Sequence, residues 1–320
     1  MVKTAAVTGA SGFVGRYVVR ALLERGAQVR ALVRSRSTAD EVLGRHERLE
    51  LVVGDILDRS RCDDVVAGAD ACVHLVGIIR EQGGQKFERI HVEATRHMVR
   101  ACEAAKVHRY VQMSALGASP LGKAPYQRTK FAGEQVVRNS SLAWTIMRPG
   151  LIHGAEGAFT RLAAKWARGA APPHFFMPYF ARAERAGGRR QRVVPTVQPI
   201  YVGDVAEAIC SALEREESIG EVYPLVGAER VDWRELLASI RDSLHTRGPR
   251  LTAIGLPGEV AAMKARVAGM MGVGGLLPFD EGMALMGQED STASMTKARL
   301  QLGLSPGGFR QTLSTYAGAL

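Results

Sequence analysis

The sequence is poor in aromatics, at 6% of residues, and carries four cysteines in 320 residues. Cys62, Cys72, Cys102 and Cys210 stand far apart, with no C-x-x-C pair. That spacing argues against a zinc ribbon and a disulfide-stapled scaffold, and fits buried thiols in a reducing compartment. The histidines are equally dispersed, so no metal site is expected. No apolar run approaches the roughly 18 residues of a membrane-spanning helix. The opening MVKTAAVTGASG lacks the charged segment, apolar stretch and cleavage site of a secretory signal, and reads directly as a strand. A cytoplasmic protein is the expectation.

What is present is ordinary globular usage, 46% hydrophobic and 23% charged, which excludes disordered, collagen-like and coiled-coil chains. The 42 basic and 32 acidic residues leave a net charge of +10. The densest basic cluster is Arg182, Arg185, Arg189, Arg190 and Arg192, inside a Pro- and Arg-rich stretch at 171–195 that reads as a loop. It lacks interleaved aromatics, and no helix-turn-helix or zinc-finger pattern occurs, so nucleic acid is not an expected partner. The cluster reads as a solvated loop, with an anionic partner or lipid surface as the other reading.

Strands at 3–8, 28–33, 49–53, 71–76, 109–113 and 142–147 alternate with helices near 13–25, 59–67, 86–105 and 125–138. Alternation of this kind implies parallel pairing with right-handed crossovers, hence an α/β fold with a doubly wound parallel sheet of Rossmann type. Residues 1–150 form the expected nucleotide-binding domain and 151–320 a small substrate or partner lobe, with about 191–214 returning to the first domain. Asp204 is expected to cap a helix at 205–214, and Asp232 one at 233–246. The stretch 256–290, rich in Ala, Met and Gly, suits one or two amphipathic helices. Its Met-rich part, 263–286, reads as core ahead of a hydrophobic-substrate or quinone surface.

The first strand runs straight into Gly9-Ala10-Ser11-Gly12-Phe13-Val14-Gly15, which opens the first helix. Gly9 permits a tight turn, Gly12 lets the backbone of Ser11, Phe13 and Val14 approach a pyrophosphate, and Gly15 lets helix and strand pack closely. The exposed N–H groups and the positive helix end favour the anion. The second strand ends in Arg34-Ser35-Arg36 with no acid before Asp40. An acid there would bond a ribose 2′-hydroxyl, whereas Arg34, assisted by Ser35 and Arg36, suits a 2′-phosphate. NADP(H) is therefore expected over NAD(H). Tyr126 and Lys130 lie four apart on a predicted helix and share one face. His74 reads as a packed histidine and His91 as a helix-surface residue, while Tyr201 and His153 are candidates to line a substrate cleft.

TGASGFVG, Gly54-Asp55 and Tyr126-Gln127-Arg128-Thr129-Lys130 resemble the short-chain dehydrogenase/reductase superfamily of extended or atypical type. HLVGIIRE (74–81), the run 87–119, WTIMRPGLIHG (144–154) and QPIYVGDVAEAI (198–209) resemble the NADPH-binding subunit nine of the complex I alpha subcomplex and its bacterial relatives. The resemblance spans about 1–245. It implies that Asp55 and Ile56 lie by the adenine and that Leu75, Val76 and Gly77 border the ribose and pyrophosphate. Pro149, Gly150, Leu151 and Ile152 would wrap the nicotinamide half.

The same resemblance makes Tyr126 the general acid/base. Lys130 would hold the nicotinamide ribose and lower the phenol's pKa. A Ser or Thr past the fifth strand polarises the substrate carbonyl in active relatives, and two alignments fit here. One puts Ser114 in that role; the other leaves Ala115 there and makes Ser114 the structural residue before it. The implied function is hydride transfer to an apolar carbonyl or quinone-like substrate. The alternative is a non-catalytic accessory subunit or assembly factor of respiratory complex I, or a factor in ubiquinone biosynthesis. Either role allows a place at the inner face of the membrane.

Overall fold

The computed structural model describes residues 2–186, 189–244, 250–271, 277 and 279–320. Six apolar segments form the strands β1 (Thr4–Thr8), β2 (Gln28–Val33), β3 (Leu49–Val53), β4 (Ala71–His74), β5 (Arg109–Met113) and β6 (Ala143–Pro149). They are linked through α1 (Phe13–Glu24), α2 (Arg36–Leu43), α3 (Arg59–Val66), α4 (Ala94–Ala104) and α5 (Pro125–Arg138). Beyond β6 come β7 (Ile152–His153), α6 (Ala158–Ala167), β8 (Met177–Ala186), β9 (Arg189–Val193), β10 (Thr196–Val197), β11 (Ile200–Tyr201) and α7 (Val202–Glu214). Then follow β12 (Glu221–Leu225), β13 (Val231–Asp232), α8 (Trp233–Ser243), β14 (Ala253–Pro257) and α9 (Gly258–Met270). The chain ends with α10 (Glu281–Met286), α11 (Thr296–Leu302) and α12 (Phe309–Tyr316).

The main sheet has seven strands in the order β12-β6-β5-β4-β1-β2-β3, every neighbouring pair parallel. Strands buried on both faces need continuous apolar runs, and β1 and β4 supply them. One face packs α1 and α7 through Val18, Leu22, Val205 and Ile209. The other packs α3, α4 and α5 through Val65, Met98 and Val137. The order reverses between β1 and β4, and ligands of open α/β sheets bind in the crevice at such a switch point. At the ends of those two strands Thr8 faces His74, with Thr8 Oγ1 2.7 Å from His74 Nδ1. All four cysteines are buried free thiols.

Several local readings are corrected. The stretch 171–195 contains the antiparallel hairpin of β8 and β9, and β8 also pairs with β14. Met177, Tyr179 and Ala181 alternate inward along β8, a strand pattern that the surrounding arginines mask in the sequence. Gly187 and Gly188, and the side chains of Arg189 and Arg190, lie outside the described residues. Asp204 does not cap: β11 runs directly into α7, Tyr201 is the N-cap residue, and Asp204 sits in the first turn. Its carboxylate accepts from Gly307 N at 3.2 Å. Asp232 does cap α8, through a full capping box with Glu235. That helix is described to Ser243, and 245–246 lie outside the described residues. In the Met-rich stretch the core reading fails for Met263, Met270 and Met271, which are exposed while the small Ala261, Ala262 and Ala265 are buried; 272–276 and 278 lie outside the described residues.

Candidate nucleotide-binding and active site

A cleft of about 570 Å³ opens at the switch point. Its floor is the glycine turn: Gly9, Ser11, Gly12, Phe13 and Val14 all line it. Gly9 has φ +71°, and a Cβ there would meet the backbone of Leu75 and Val76 at 3.2 Å. A Cβ on Gly15 would lie 2.1 Å from the Gly9 carbonyl oxygen, so no side chain fits between helix and turn. Helix α1 has Gly12 as its N-cap residue, no side-chain cap and no acid in its first turn. Its first N–H groups and positive end are therefore left for an anion.

The side walls come from Arg34 at the end of β2, Asp55 and Ile56 after β3, and Leu75, Val76 and Gly77 after β4. Arg34 is exposed on the rim. Ser35 and Arg36 do not line the cleft: Ser35 Oγ caps α2 by accepting from Thr38 N at 3.3 Å, and Arg36 donates to the Leu51 carbonyl at 3.2 Å. Asp55 closes a local turn by accepting from Leu57 N at 2.8 Å. Thr38, one turn beyond Ser35, is a cleft residue the sequence reading missed. Pro149, Gly150, Leu151 and Ile152 do not border the cleft. Gly150 N instead donates to Leu225, and the Pro149 carbonyl accepts from Leu116 N, which ties β6 to β12 and the β5 exit.

A second cavity, about 670 Å³, adjoins at Ile79, which borders both. Tyr126, Phe87, Phe279, Leu285 and Met286 give it apolar walls; Arg80, Lys123, Arg128 and Glu281 stand among them. Tyr126, Lys130 and Glu134 follow one another at four-residue steps along α5, so all three point inward. Lys130 is buried beneath the nucleotide cleft: a Cβ on Gly77 would lie 2.8 Å from its Nζ. Its ammonium donates to the Met113 carbonyl at 3.1 Å, and burial pulls its pKa down to about 8.

The expected depression of the Tyr126 pKa by that ammonium is not seen. Burial dominates and pushes the phenol up to about 12, because a desolvated phenolate is disfavoured. Tyr126 is thus a phenol with its proton firmly held.

His91, read from sequence as a surface residue, is 2% exposed and packs against Tyr126. The ring centroids are 5.4 Å apart at 85°, and Phe87 stacks on the histidine at 5.4 Å and meets Tyr126 edge-on at 6.0 Å. A turn of π-helix, Glu88–Glu93, precedes α4 and carries His91, and such turns recur at functional sites. Its Nδ1 lies 2.9 Å from Thr129 Oγ1, and its Nε2 3.2 Å from Ile78 N and 3.0 Å from Ile78 O. Desolvation and the nearby Lys130 charge keep the ring neutral. The helix-surface pattern hid this residue, because the wider turn shifts the face that follows. His74 is packed, as read, with burial lowering its pKa to about 3. Tyr201 and His153 border neither cavity; His153 Nδ1 is 2.8 Å from Tyr316 Oη within the lobe's core.

Ser114 is 3% exposed, and its hydroxyl donates to Glu134 Oε1 at 2.5 Å. Glu134 is fully buried and also accepts two bonds from Arg148, at 2.7 and 2.6 Å. Sequence reasoning missed this network, although Glu134 stands four residues past Lys130.

A protein-family model described as NAD(P)H-binding matches residues 9–165. The chain is 32% identical over 262 residues to NADH dehydrogenase [ubiquinone] 1 alpha subcomplex subunit 9, mitochondrial, of Arabidopsis thaliana, covering 79% of this chain and 60% of that protein. It therefore spans about three fifths of that relative's length. It is 28% identical to the 4-hydroxy-2-methyl-3-oxo-4-farnesyl-3,4-dihydroquinoline-1-oxide ketoreductase of Stigmatella aurantiaca, over 82% of this chain and 78% of that one. A crystal structure of a short-chain dehydrogenase/reductase superfamily protein from Agrobacterium tumefaciens, with bound NAD, superposes with a TM-score of 0.68 at 21% identity, covering 99% and 96% of the two chains. Sheet order, glycine turn and family model agree that the chain carries an NAD(P)-binding domain of Rossmann type, and its fold is shared with a structure from the short-chain dehydrogenase/reductase superfamily.

Proposed function

We propose that the chain is an NADP(H)-dependent oxidoreductase acting on an apolar carbonyl or quinone-like substrate. The observation that carries this reading is the junction of the two cavities at Ile79, with Tyr126 on the wall of the second and Lys130 under the first. The cleft fits a dinucleotide: Gly9 and Gly15 let the turn close against the β4 exit and α1 with no side chain between, and α1 offers uncapped N–H groups. The α1 N-terminus would hold the pyrophosphate, Arg34 a 2′-phosphate, and Lys130 the ribose beside the nicotinamide. When bound, the nicotinamide supplies or accepts hydride.

The chain's own residues do the rest. Tyr126 holds a proton at Oη and delivers it to the substrate oxygen as the carbonyl is reduced. His91 and Phe87 fix the plane of its ring. Phe279, Leu285 and Met286 exclude water and favour an apolar substrate. The ketoreductase relative, named for a farnesylated quinoline oxide, supports that class.

One observation favours a second reading, a non-catalytic NADP(H)-binding accessory subunit of a respiratory complex I assembly, or a factor tied to ubiquinone. Ser114 is held by Glu134 and Ala115 follows it, so Tyr126 is left without a hydroxyl partner for the carbonyl. The subunit 9 relative supports it. Both readings allow a cytoplasmic protein peripheral to the inner face of a membrane. Among the described residues no helix is long and apolar enough to cross one. Calorimetric titration with NADPH and NADH, followed by NADPH oxidation against a panel of long-chain ketones and short-tailed quinones, tests the reading. Tight NADPH binding with turnover is expected; tight binding with no turnover on any member gives the accessory reading.

A further inference from the structure

Two sequence features find no use in that site: the arginine cluster at 182–192 and the methionines at 263, 270 and 271. The fold brings them together. One side of α9, through Ala261, Ala262 and Ala265, is buried against α10 and Phe180. On the other side Val260, Met263, Val267, Met270 and Met271 are exposed, Met263 at 61% and Met270 at 73%. At 3.6 residues per turn these five fall in one stripe. Lys264 borders it on one flank and Arg266 on the other, both exposed. Glu259, the only acid on α9, lies in its first turn.

The stripe begins at Val260, which lines a cleft of about 350 Å³ together with Arg192 of β9. Arg182 in the hairpin is bound by Glu184 and Asp290. Among the described residues, Arg192, Lys264 and Arg266 have no carboxylate partner.

We propose that α9 and the β8–β9 hairpin form a docking surface for an anionic phospholipid bilayer. The helix lies in the interfacial plane. Its Val and Met side chains enter the acyl boundary, while Arg192, Lys264 and Arg266 meet the headgroup phosphates. An apolar stripe flanked by unpaired cations is the pattern of an interfacial helix, and long basic side chains reach outward from such a position. Nucleic acid offers nothing to the stripe. A second copy of the chain would set the same cations against one another across a two-fold interface. Ala265 and Gly269 of the same helix wall the cavity at Tyr126. Docking would therefore leave an apolar substrate about a helix's width from the bilayer, a step that rests on the reductase reading; the docking itself does not.

Co-sedimentation of the full chain with phosphatidylcholine vesicles, with and without phosphatidylglycerol, tests this. Wild type should bind the anionic vesicles at least about tenfold more tightly than the neutral ones. Met263→Glu with Val267→Glu should weaken anionic binding by about tenfold or more, and Arg192→Gln with Lys264→Gln by about fivefold per charge. The charge variant alters exposed side chains only, so it keeps the test decisive if the apolar variant perturbs α9. Unchanged binding by both variants, or no vesicle binding by wild type, overturns the proposal. So does concentration-dependent dimerisation abolished by the apolar variant in place of vesicle binding. NADPH affinity, measured on each variant, stays at the wild-type value and separates failure of this surface from failure of the nucleotide site.

Discussion

Ser114→Ala separates the two roles open to that residue. The hydroxyl donates a single bond, 2.5 Å long, to a carboxylate that is fully buried. Hydrogen bonds to charged groups contribute about 1.5–3 kcal/mol net when buried. The variant leaves one lone pair of Glu134 unpaired while Arg148 keeps both of its bonds. The loss should therefore stay below the roughly 3–5 kcal/mol of a broken buried ion pair. A loss of about 2 kcal/mol is expected, read as a lower midpoint in urea unfolding at unchanged slope. Glu134→Gln and the double variant complete a cycle with a coupling of about 1–2 kcal/mol. NADPH affinity should move less than about twofold, since neither residue lines the nucleotide cleft. If Ser114→Ala leaves stability within about 0.5 kcal/mol of wild type while turnover collapses, the hydroxyl serves the substrate and the structural account of Ser114 is wrong.

Gly15→Ala should cost about 3 kcal/mol or more and impair nucleotide binding, because its Cβ must displace the Gly9 carbonyl that shapes the turn; a melting curve matching wild type would contradict this. Arg34→Ala should weaken NADPH by at least about tenfold more than NADH in calorimetry, since only the former carries a 2′-phosphate for a guanidinium to meet; equal losses would remove the NADP(H) assignment. Lys130 has a folded pKa lowered from 10.5 to about 8. The unfolded chain thus binds the extra proton between those values, and the penalty for burying the charge is full below pH 8 and relieved as pH rises to 10.5. Relative to Lys130→Met, wild type should gain about 3 kcal/mol of stability across that window, and parallel pH profiles would show that the ammonium is not buried as described.

The parts legible in the sequence were those set by neighbours in the chain. The close packing at Gly9 and Gly15 is legible because each meets atoms within a few residues or at the exit of the adjoining strand. Asp232 reads correctly because a capping box is closed by Glu235, three positions on. Asp204 was misread because its partner, Gly307, is 103 residues away. The strand β12 was missed, being short and interrupted by Pro224, and its place depends on an edge that β6 offers only once folded. His91 and Glu134 were overlooked for the same reason: a buried ring behind Tyr126 and a buried carboxylate under Ser114 are products of how α4 and α5 pack, and single-residue reading favours the surface for both types.

The central claim is tested most directly by Tyr126→Phe, assayed as NADPH oxidation with whichever apolar ketone or quinone the wild type reduces, alongside NADPH titration of both proteins. The ring stays in place against His91 and Phe87, and only the proton donor at Oη is lost. The account predicts a fall in kcat of about 10² to 10⁴ with NADPH affinity unchanged. A variant that turns over as fast as wild type would contradict it, because Tyr126 would then not be the group that protonates the substrate.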